Sequence, residues 1–312
     1  MKYLVTGGAG FIGSNLVDKL IDDGNEVIVI DNESSDAHDH FYWNEKAHNY
    51  KHDICDYTMC SEVFEKHNPD MVFHIAAEAR IQPCINDPLK AINTNVVGTT
   101  TILELCRKYK VKRVIYSSTS SAYGIKNTPP LSEDMPNDCL NPYSVSKTSG
   151  EELCKMYSKL YGLETVIFRY FNVYGERQPL KGQYAPVIGI FLRQNKANEP
   201  MTIVGDGLQR RDFTHVSDVV DANIKAANFT APEYIIENEI SYRKYEWGQV
   251  YNIGTGINHS ILDIANMIGN NIVHIEPRVG ESRITLANIS KIKTHLKWNP
   301  TINLVDWINK NK

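Results

Sequence analysis

Lys2-Tyr3-Leu4-Val5-Thr6-Gly7-Gly8-Ala9-Gly10-Phe11-Ile12-Gly13 is the stretch whose reading decides the fold. Its first five residues form a short apolar run of the kind that makes a buried strand. Four glycines follow, in two overlapping patterns: Gly8-x-Gly10-x-x-Gly13 and Gly7-x-x-Gly10-x-x-Gly13. Beyond them, Ser14 to Asp23 reads as a helix with Leu16, Val17, Leu20 and Ile21 on one face. Glycines between a strand and a helix allow a tight turn, and they let backbone N–H groups approach a pyrophosphate at the helix N-terminus. The strand and helix on either side supply the context that such a glycine pattern requires. The expected ligand is therefore a dinucleotide, held by Gly7, Gly10, Phe11, Ile12 and Gly13.

A second strand, Glu26 to Ile30, ends at Asp31. An acidic residue there accepts hydrogen bonds from the adenosine ribose hydroxyls. No Arg or Lys occurs in Asn32-Glu33-Ser34-Ser35-Asp36, so a 2′-phosphate would meet negative charge. NAD is expected rather than NADP, with Asn32 beside the ribose. Asp53-Ile54 follows another short strand and is placed near the adenine. The strand Met71 to Ile75 runs into Ala76-Ala77, whose small side chains let a cofactor backbone pass close to the chain. Thr58 to His67, Pro88 to Lys110 and Pro142 to about Tyr161 read as helices, and Val114 to Ser118 and Thr165 to Tyr170 as strands. This alternation predicts an α/β fold with a Rossmann-type doubly wound parallel sheet.

The chemistry concentrates between Val114 and Lys147. The strand Val114-Ile115-Tyr116 breaks into Ser117-Ser118-Thr119-Ser120-Ser121, and the stretch closes on Asn141-Pro142-Tyr143-Ser144-Val145-Ser146-Lys147. Tyr143 and Lys147 are four apart and share a helix face. A cation beside a phenol favours the phenolate and lowers its pKa. Tyr42 and Lys46 have the same spacing but lie in a polar loop with no preceding strand.

Composition bounds the rest. The chain has 312 residues, 42% hydrophobic and 22% charged, with a net charge of -4. These values suit an ordinary globular protein and give no reason to expect nucleic-acid or membrane partners. The six cysteines form no CxxC pair, so free thiols in a reducing, cytoplasmic setting are expected. Asp36-Ala37-His38-Asp39-His40, with His48 and His52 nearby, reads as a solvated loop rather than a metal centre. Pro232 to Glu246 has no clear period and reads as a surface excursion.

Taken together, Thr6 to Gly13, the Tyr143/Lys147 pair and the upstream hydroxyls resemble the extended short-chain dehydrogenase/reductase family. Arg169-Tyr170-Phe171-Asn172-Val173-Tyr174-Gly175, Gly205-Asp206-Gly207, Arg211-Asp212-Phe213, Tyr251-Asn252-Ile253-Gly254-Thr255-Gly256 and Arg278-Val279-Gly280-Glu281 are similar to nucleotide-sugar epimerases and dehydratases. The resemblance implies an NAD-binding domain over 1–172 and a smaller mixed α/β nucleotide-sugar-binding domain over 173–312. Segments near 214–230 and 250–256 would pack back on the first domain. It implies Tyr143 as base, Lys147 as its partner and ribose ligand, and Thr119 as the hydroxyl on the reacting sugar oxygen. By the same resemblance Arg211 and Arg278 would hold the diphosphate, Asn172 the diphosphate or sugar, and Glu281 the uridine ribose. Ala185 to Ile188, including Val187, would line the uracil.

Ser120 and Ser121 occupy the positions where related 4,6-dehydratases carry Asp-Glu. Without those carboxylates, water loss lacks its acid and base. The resemblance then implies 4-epimerisation of a UDP-hexose or UDP-N-acetylhexosamine through a 4-keto sugar. A dehydratase, a decarboxylase or a UDP-glucuronate 4-epimerase is the alternative, with the loop Arg177 to Tyr184 as a reader of a uronate. Thr285, where restricted epimerases carry a bulky Tyr, leaves room for a 2-acetamido group. Family members commonly form homodimers through the helices near Leu89–Tyr109 and Tyr143–Tyr161.

Overall fold

The computed structural model describes residues 1–35, 40–180, 185–238, 241–276 and 282–312. Its centre is a sheet of seven parallel strands: β1 (Lys2–Thr6), β2 (Glu26–Ile30), β3 (His48–Tyr50), β4 (Met71–His74), β5 (Arg113–Thr119), β6 (Glu164–Tyr170) and β7 (Gln249–Ile253). Their spatial order is β7-β6-β5-β4-β1-β2-β3. The chain steps outward from β1 to β3 and then returns to β4 on the other side of β1. A crevice opens where the order reverses, at the carboxyl ends of the strands.

The sheet is covered on both faces, which is why its strands are nearly continuous apolar runs. Side chains alternate between faces along each strand. Tyr3 and Val5 pack with α1 (Phe11–Asp22) through Leu16, Val17 and Leu20. Leu4 faces the other way, into a cluster with Phe64 of α2 (Tyr57–His67), Ile102 and Leu103 of α3 (Thr99–Lys108), and Cys154 and Tyr157 of α4 (Pro142–Tyr161).

A second core lies beyond the sheet. Phe191 of α5 (Val187–Lys196), Met201 and Ile203, Ile264 of α7 (Ile261–Ile268) and Ile308 of α8 (Leu304–Asn311) are buried together there. Between the two cores, α6 (Val216–Asn228) sends Val219, Val220 and Ala226 into the α1 face of the main sheet. With β7 on the sheet edge, two late segments of the chain complete the first unit.

Three features depart from the sequence expectations. The helix expected over Pro88 to Lys110 is interrupted: a π-helical turn, Asn93–Gly98, separates Pro88–Ile92 from α3. The cause is Asn95, which is fully buried and bonds the backbone of Glu78 (2.8 and 3.0 Å) and Ser146 Oγ (2.9 Å). Rotating that side chain inward uses one extra residue per turn. The excursion after Pro232 contains two paired antiparallel strands, Tyr234–Asn238 and Ser241–Lys244. Helix α1 begins at Phe11, three residues before Ser14, because Gly10 already acts as its N-cap. Among the described residues no helix is long and apolar enough to cross a membrane.

Candidate active site

The glycine turn is shaped by close approach. Gly7 has φ +70°, in the left-handed region, and its N–H donates to Ile30 O at 2.8 Å. A Cβ on Gly13 would lie 2.0 Å from Gly7 O, so no larger residue fits where α1 crosses β1. The N-terminus of α1 has no side-chain cap. Its free N–H groups and the positive end of its dipole therefore face the crevice. Asp31 accepts from Ala9 N (3.1 Å) and Glu33 N (2.8 Å), joining the glycine loop to the end of β2. Burial pushes the Asp31 carboxyl above its usual value, and those backbone N–H groups oppose the shift.

Gly7, Gly10, Phe11, Ile12, Gly13, Asp31, Asn32, Ile54, Ala76 and Ala77 all line one cavity of about 530 Å³. Asp53 does not. Its carboxylate is exposed and accepts from Asn32 Nδ2 (3.0 Å) and Cys55 N (2.8 Å), so it shapes the loop around the cavity. The opposite end of the same cavity is lined by Ser117 to Ser121, Tyr143, Lys147 and Asn172.

The end of β5 and the start of α4 build that opposite wall. Asn141 caps α4 in a reciprocal capping box with Ser144, and Pro142 opens its first turn. Tyr143 therefore sits on a fixed first turn. Thr119 Oγ1 accepts from Ser121 N at 3.1 Å and lies within hydrogen-bonding reach of the Tyr143 phenol. Lys147 is buried, its ammonium 4.4 Å from the centre of the Tyr116 ring.

The expected electrostatics need correction. Burial pushes the Tyr143 phenol up to about 12, with the Thr119 hydrogen bond opposing it. Burial also lowers Lys147 to about 7, with Cys154 and Glu151 opposing. In the protein alone, desolvation outweighs the attraction of the cation for a phenolate.

Beneath Lys147, one turn on, Glu151 is fully buried. It accepts from Ser118 Oγ (2.5 Å) and from Arg169 Nε and Nη2 (2.8 and 2.7 Å). Arg169 stacks on Tyr123 at 4.6 Å, and Tyr123 donates to Asn252 at 2.6 Å. This buried network ties α4 to β5, β6 and β7. Arg169 opens a stretch that carries the family resemblance, but nothing in that stretch points to Glu151 as its buried partner 18 residues away.

A second cavity of about 500 Å³ shares Asn172, Ala185, Pro186 and Val187 with the first. Arg211 lines it, with Arg193, Gln209, Thr202 and Val204. Asn172 holds this junction with a positive φ of 25° and a hydrogen bond to Asp212 O at 2.8 Å. Thr285 lines neither cavity; its N–H pairs with Arg210 O at 3.0 Å. Arg177 is also elsewhere, paired with Asp18 (2.8 Å) and Ser14 (2.9 Å) and stacked on Tyr42 (4.4 Å) over α1. Arg278, Glu281 and the loop end at Tyr184 lie outside the described residues. Arg80, Gln82, Arg193 and Gln209 are cavity-lining polar residues that sequence reading missed. Arg80 and Gln82 follow the Ala76-Ala77 turn directly, a position that could have flagged them.

With this geometry in hand, comparisons place the chain among known proteins. The sequence model of the GDP-mannose 4,6 dehydratase family matches residues 4–311. A Methanocaldococcus jannaschii protein provisionally named UDP-glucose 4-epimerase is 38% identical over 314 residues, covering 98% of this chain and 96% of its own. The crystal structure of a Thermotoga maritima UDP-glucose 4-epimerase with UDP-glucose superposes with a TM-score of 0.88 at 35% identity, covering 100% of this chain and 97% of that one. A Thermus thermophilus UDP-glucose 4-epimerase in complex with NAD gives 0.86 at 29% identity, covering 100% and 97%.

Proposed function

The chain belongs to the extended short-chain dehydrogenase/reductase family, among its nucleotide-sugar epimerases and dehydratases, and we propose that it inverts C4 of a UDP-hexose or UDP-N-acetylhexosamine with NAD as resident cofactor. The observation that carries this reading is the charge of the catalytic cavity. Among the described residues that line it, Asp31 is the sole carboxylate. Asp31 ends a strand three places from β5, roughly 14 Å away at the usual strand spacing. Ser120 and Ser121 stand beside Tyr143 instead. Elimination of water or CO2 from a sugar needs an acid and a base at the neighbouring carbons, and among the described residues no carboxylate lines the Tyr143 end of the cavity to serve beside the phenol.

The residues present suit NAD. The Gly7–Gly13 cradle, which a Cβ would fill, and the uncapped N-terminus of α1 suit a pyrophosphate. Asp31 and Asn32 would hold the adenosine ribose, Ile54 the adenine, Ala76 and Ala77 the cofactor backbone, and Lys147 the nicotinamide ribose. When bound, NAD supplies a hydride acceptor and a positive charge beside Tyr143. Tyr143 accepts the proton of the sugar 4-hydroxyl and later returns it to the oxygen of the inverted carbon. Thr119 holds that oxygen throughout, and Lys147, protonated, stabilises the phenolate. Arg211 and Asn172 take the diphosphate in the second cavity, with the uracil against Ala185 and Val187. Arg278 and Glu281 are assigned to the same end on the sequence resemblance.

Two copies would pair through α4 and the Pro88–Lys108 segment, where Leu89, Ile92, Val97, Val145 and Leu160 are exposed. Thr285, outside both cavities, gives no ground for choosing between a 2-hydroxyl and a 2-acetamido group. The test is direct: the purified protein is incubated with UDP-glucose, UDP-N-acetylglucosamine and UDP-glucuronate in turn, and the anomeric proton spectrum is followed. The 4-epimer of a neutral sugar at unchanged mass supports the proposal. Conversion of UDP-glucuronate alone, or loss of water or CO2, refutes it.

A further inference from the structure

The edge of the sheet opposite the catalytic one gathers three side chains that the reaction does not use. Glu26 is the first residue of β2, His48 the first of β3, and His67 the last of α2. We propose that Glu26, His48 and His67 form a site for one divalent transition-metal ion of the zinc class, a structural clip on the outer edge of the sheet.

The spacing carries the proposal. Glu26 Oε1 lies 3.6 Å from His48 Nε2 and 3.8 Å from His67 Nδ1, and all three ligand atoms fall within 4.8 Å of one another. Both gaps to Glu26 exceed hydrogen-bond length. They are close to what an ion imposes, since two ligands about 2.0–2.1 Å from a tetrahedral zinc are roughly 3.3–3.4 Å apart. Two imidazoles and one carboxylate suit zinc and its neighbours rather than magnesium or calcium, which prefer oxygen. Small rotations of the exposed His48 and half-exposed Glu26 draw the set together.

The buried member is already oriented. Tyr50 Oη lies 2.7 Å from His67 Nε2. With the proton on Nε2, donated to Tyr50, the lone pair of Nδ1 is left facing Glu26. A hydrogen bond on the far nitrogen is how metal-binding histidines are usually fixed. The cations nearby leave the ligand oxygen free. The Lys2 ammonium is 3.6 Å from the other carboxylate oxygen and donates to His67 O at 3.3 Å, and Lys66 lies over the Tyr50 ring.

An ion here would join the first residue of a three-residue edge strand to β2 and α2. It would brace the strand that leads to His52 and Ile54 without touching the catalytic end of the cavity. The test is a cobalt(II) titration of the chelator-treated full-length protein, followed by visible ligand-field absorption and displacement with zinc. One cobalt per chain with a four-coordinate nitrogen–oxygen spectrum is expected. Binding should weaken at least tenfold in both His48→Ala and Glu26→Gln, whose turnover should match the unaltered protein. Absence of saturable binding overturns the proposal. So does binding that survives both substitutions or carries a sulfur-to-cobalt charge-transfer band, which would put the metal on the free cysteines.

Discussion

The two ends of the ligand groove are built on different principles. At the cofactor end, position is set by backbone: a glycine turn, a helix N-terminus and the carboxyl ends of strands in a seven-stranded sheet. At the nucleotide-sugar end, it is set by single side chains on short pieces, such as the two-residue strand Val173–Tyr174 and the three-residue strand Arg210–Asp212. A backbone site tolerates little change but is indifferent to most side chains. A side-chain site can be altered residue by residue without disturbing the fold.

That contrast can be broken at several points. The largest effect is expected of Tyr143→Phe, which removes the proton acceptor. Turnover should fall by about 10²–10⁴-fold, with NAD content and thermal midpoint unchanged. A mutant that keeps its rate would move the chemistry away from α4.

Glu151→Gln comes next and tests the frame rather than the chemistry. It leaves Arg169 as an uncompensated buried charge, which costs roughly 3–5 kcal/mol. Urea unfolding should show that loss; a change under 1 kcal/mol would mean that the network is not holding α4 to the sheet.

Arg211→Ala should act at the other end only. KM for the UDP-sugar should rise about 10–100-fold, the range of one charge-assisted contact, with kcat and NAD binding little changed. A fall in kcat with KM constant would place Arg211 in the chemistry instead.

The remaining effect is a pH dependence, seen only in the NAD-free protein. Lys147 titrates at 10.5 in the unfolded chain and about 7 in the fold. Between those values the unfolded chain binds a proton that the folded one does not, so stability rises with pH across the window. In the NAD-free protein, the stability of the unaltered chain relative to Lys147→Met should therefore improve between pH 7 and 10.5. A constant difference would mean that Lys147 stays charged in the fold.

The same contrast explains what the sequence revealed. The glycine turn, Asp31, Ala76-Ala77 and the Tyr143/Lys147 spacing are local patterns with fixed periods, and the structure gathers them around one cavity. Asn95 escaped notice because a buried polar residue in a helix looks like any exposed one until its partner, Ser146, is known. The loop from Arg177 to Tyr184 suggests a reader of a uronate, yet the charge of Arg177 itself is spent on Asp18 across 159 residues of sequence. Counting along the chain reaches Thr285, whose N–H pairs with Arg210 O while the residue is absent from the described lining of both cavities.

The claim that everything else depends on is that C4 is oxidised and reduced again in place. Substrate deuterated at C4 tests it most directly. The expected product has unchanged mass, is inverted at C4 and keeps the deuterium on C4. Deuterium found at C6 of a dehydrated sugar, or a product lighter by CO2, would contradict it.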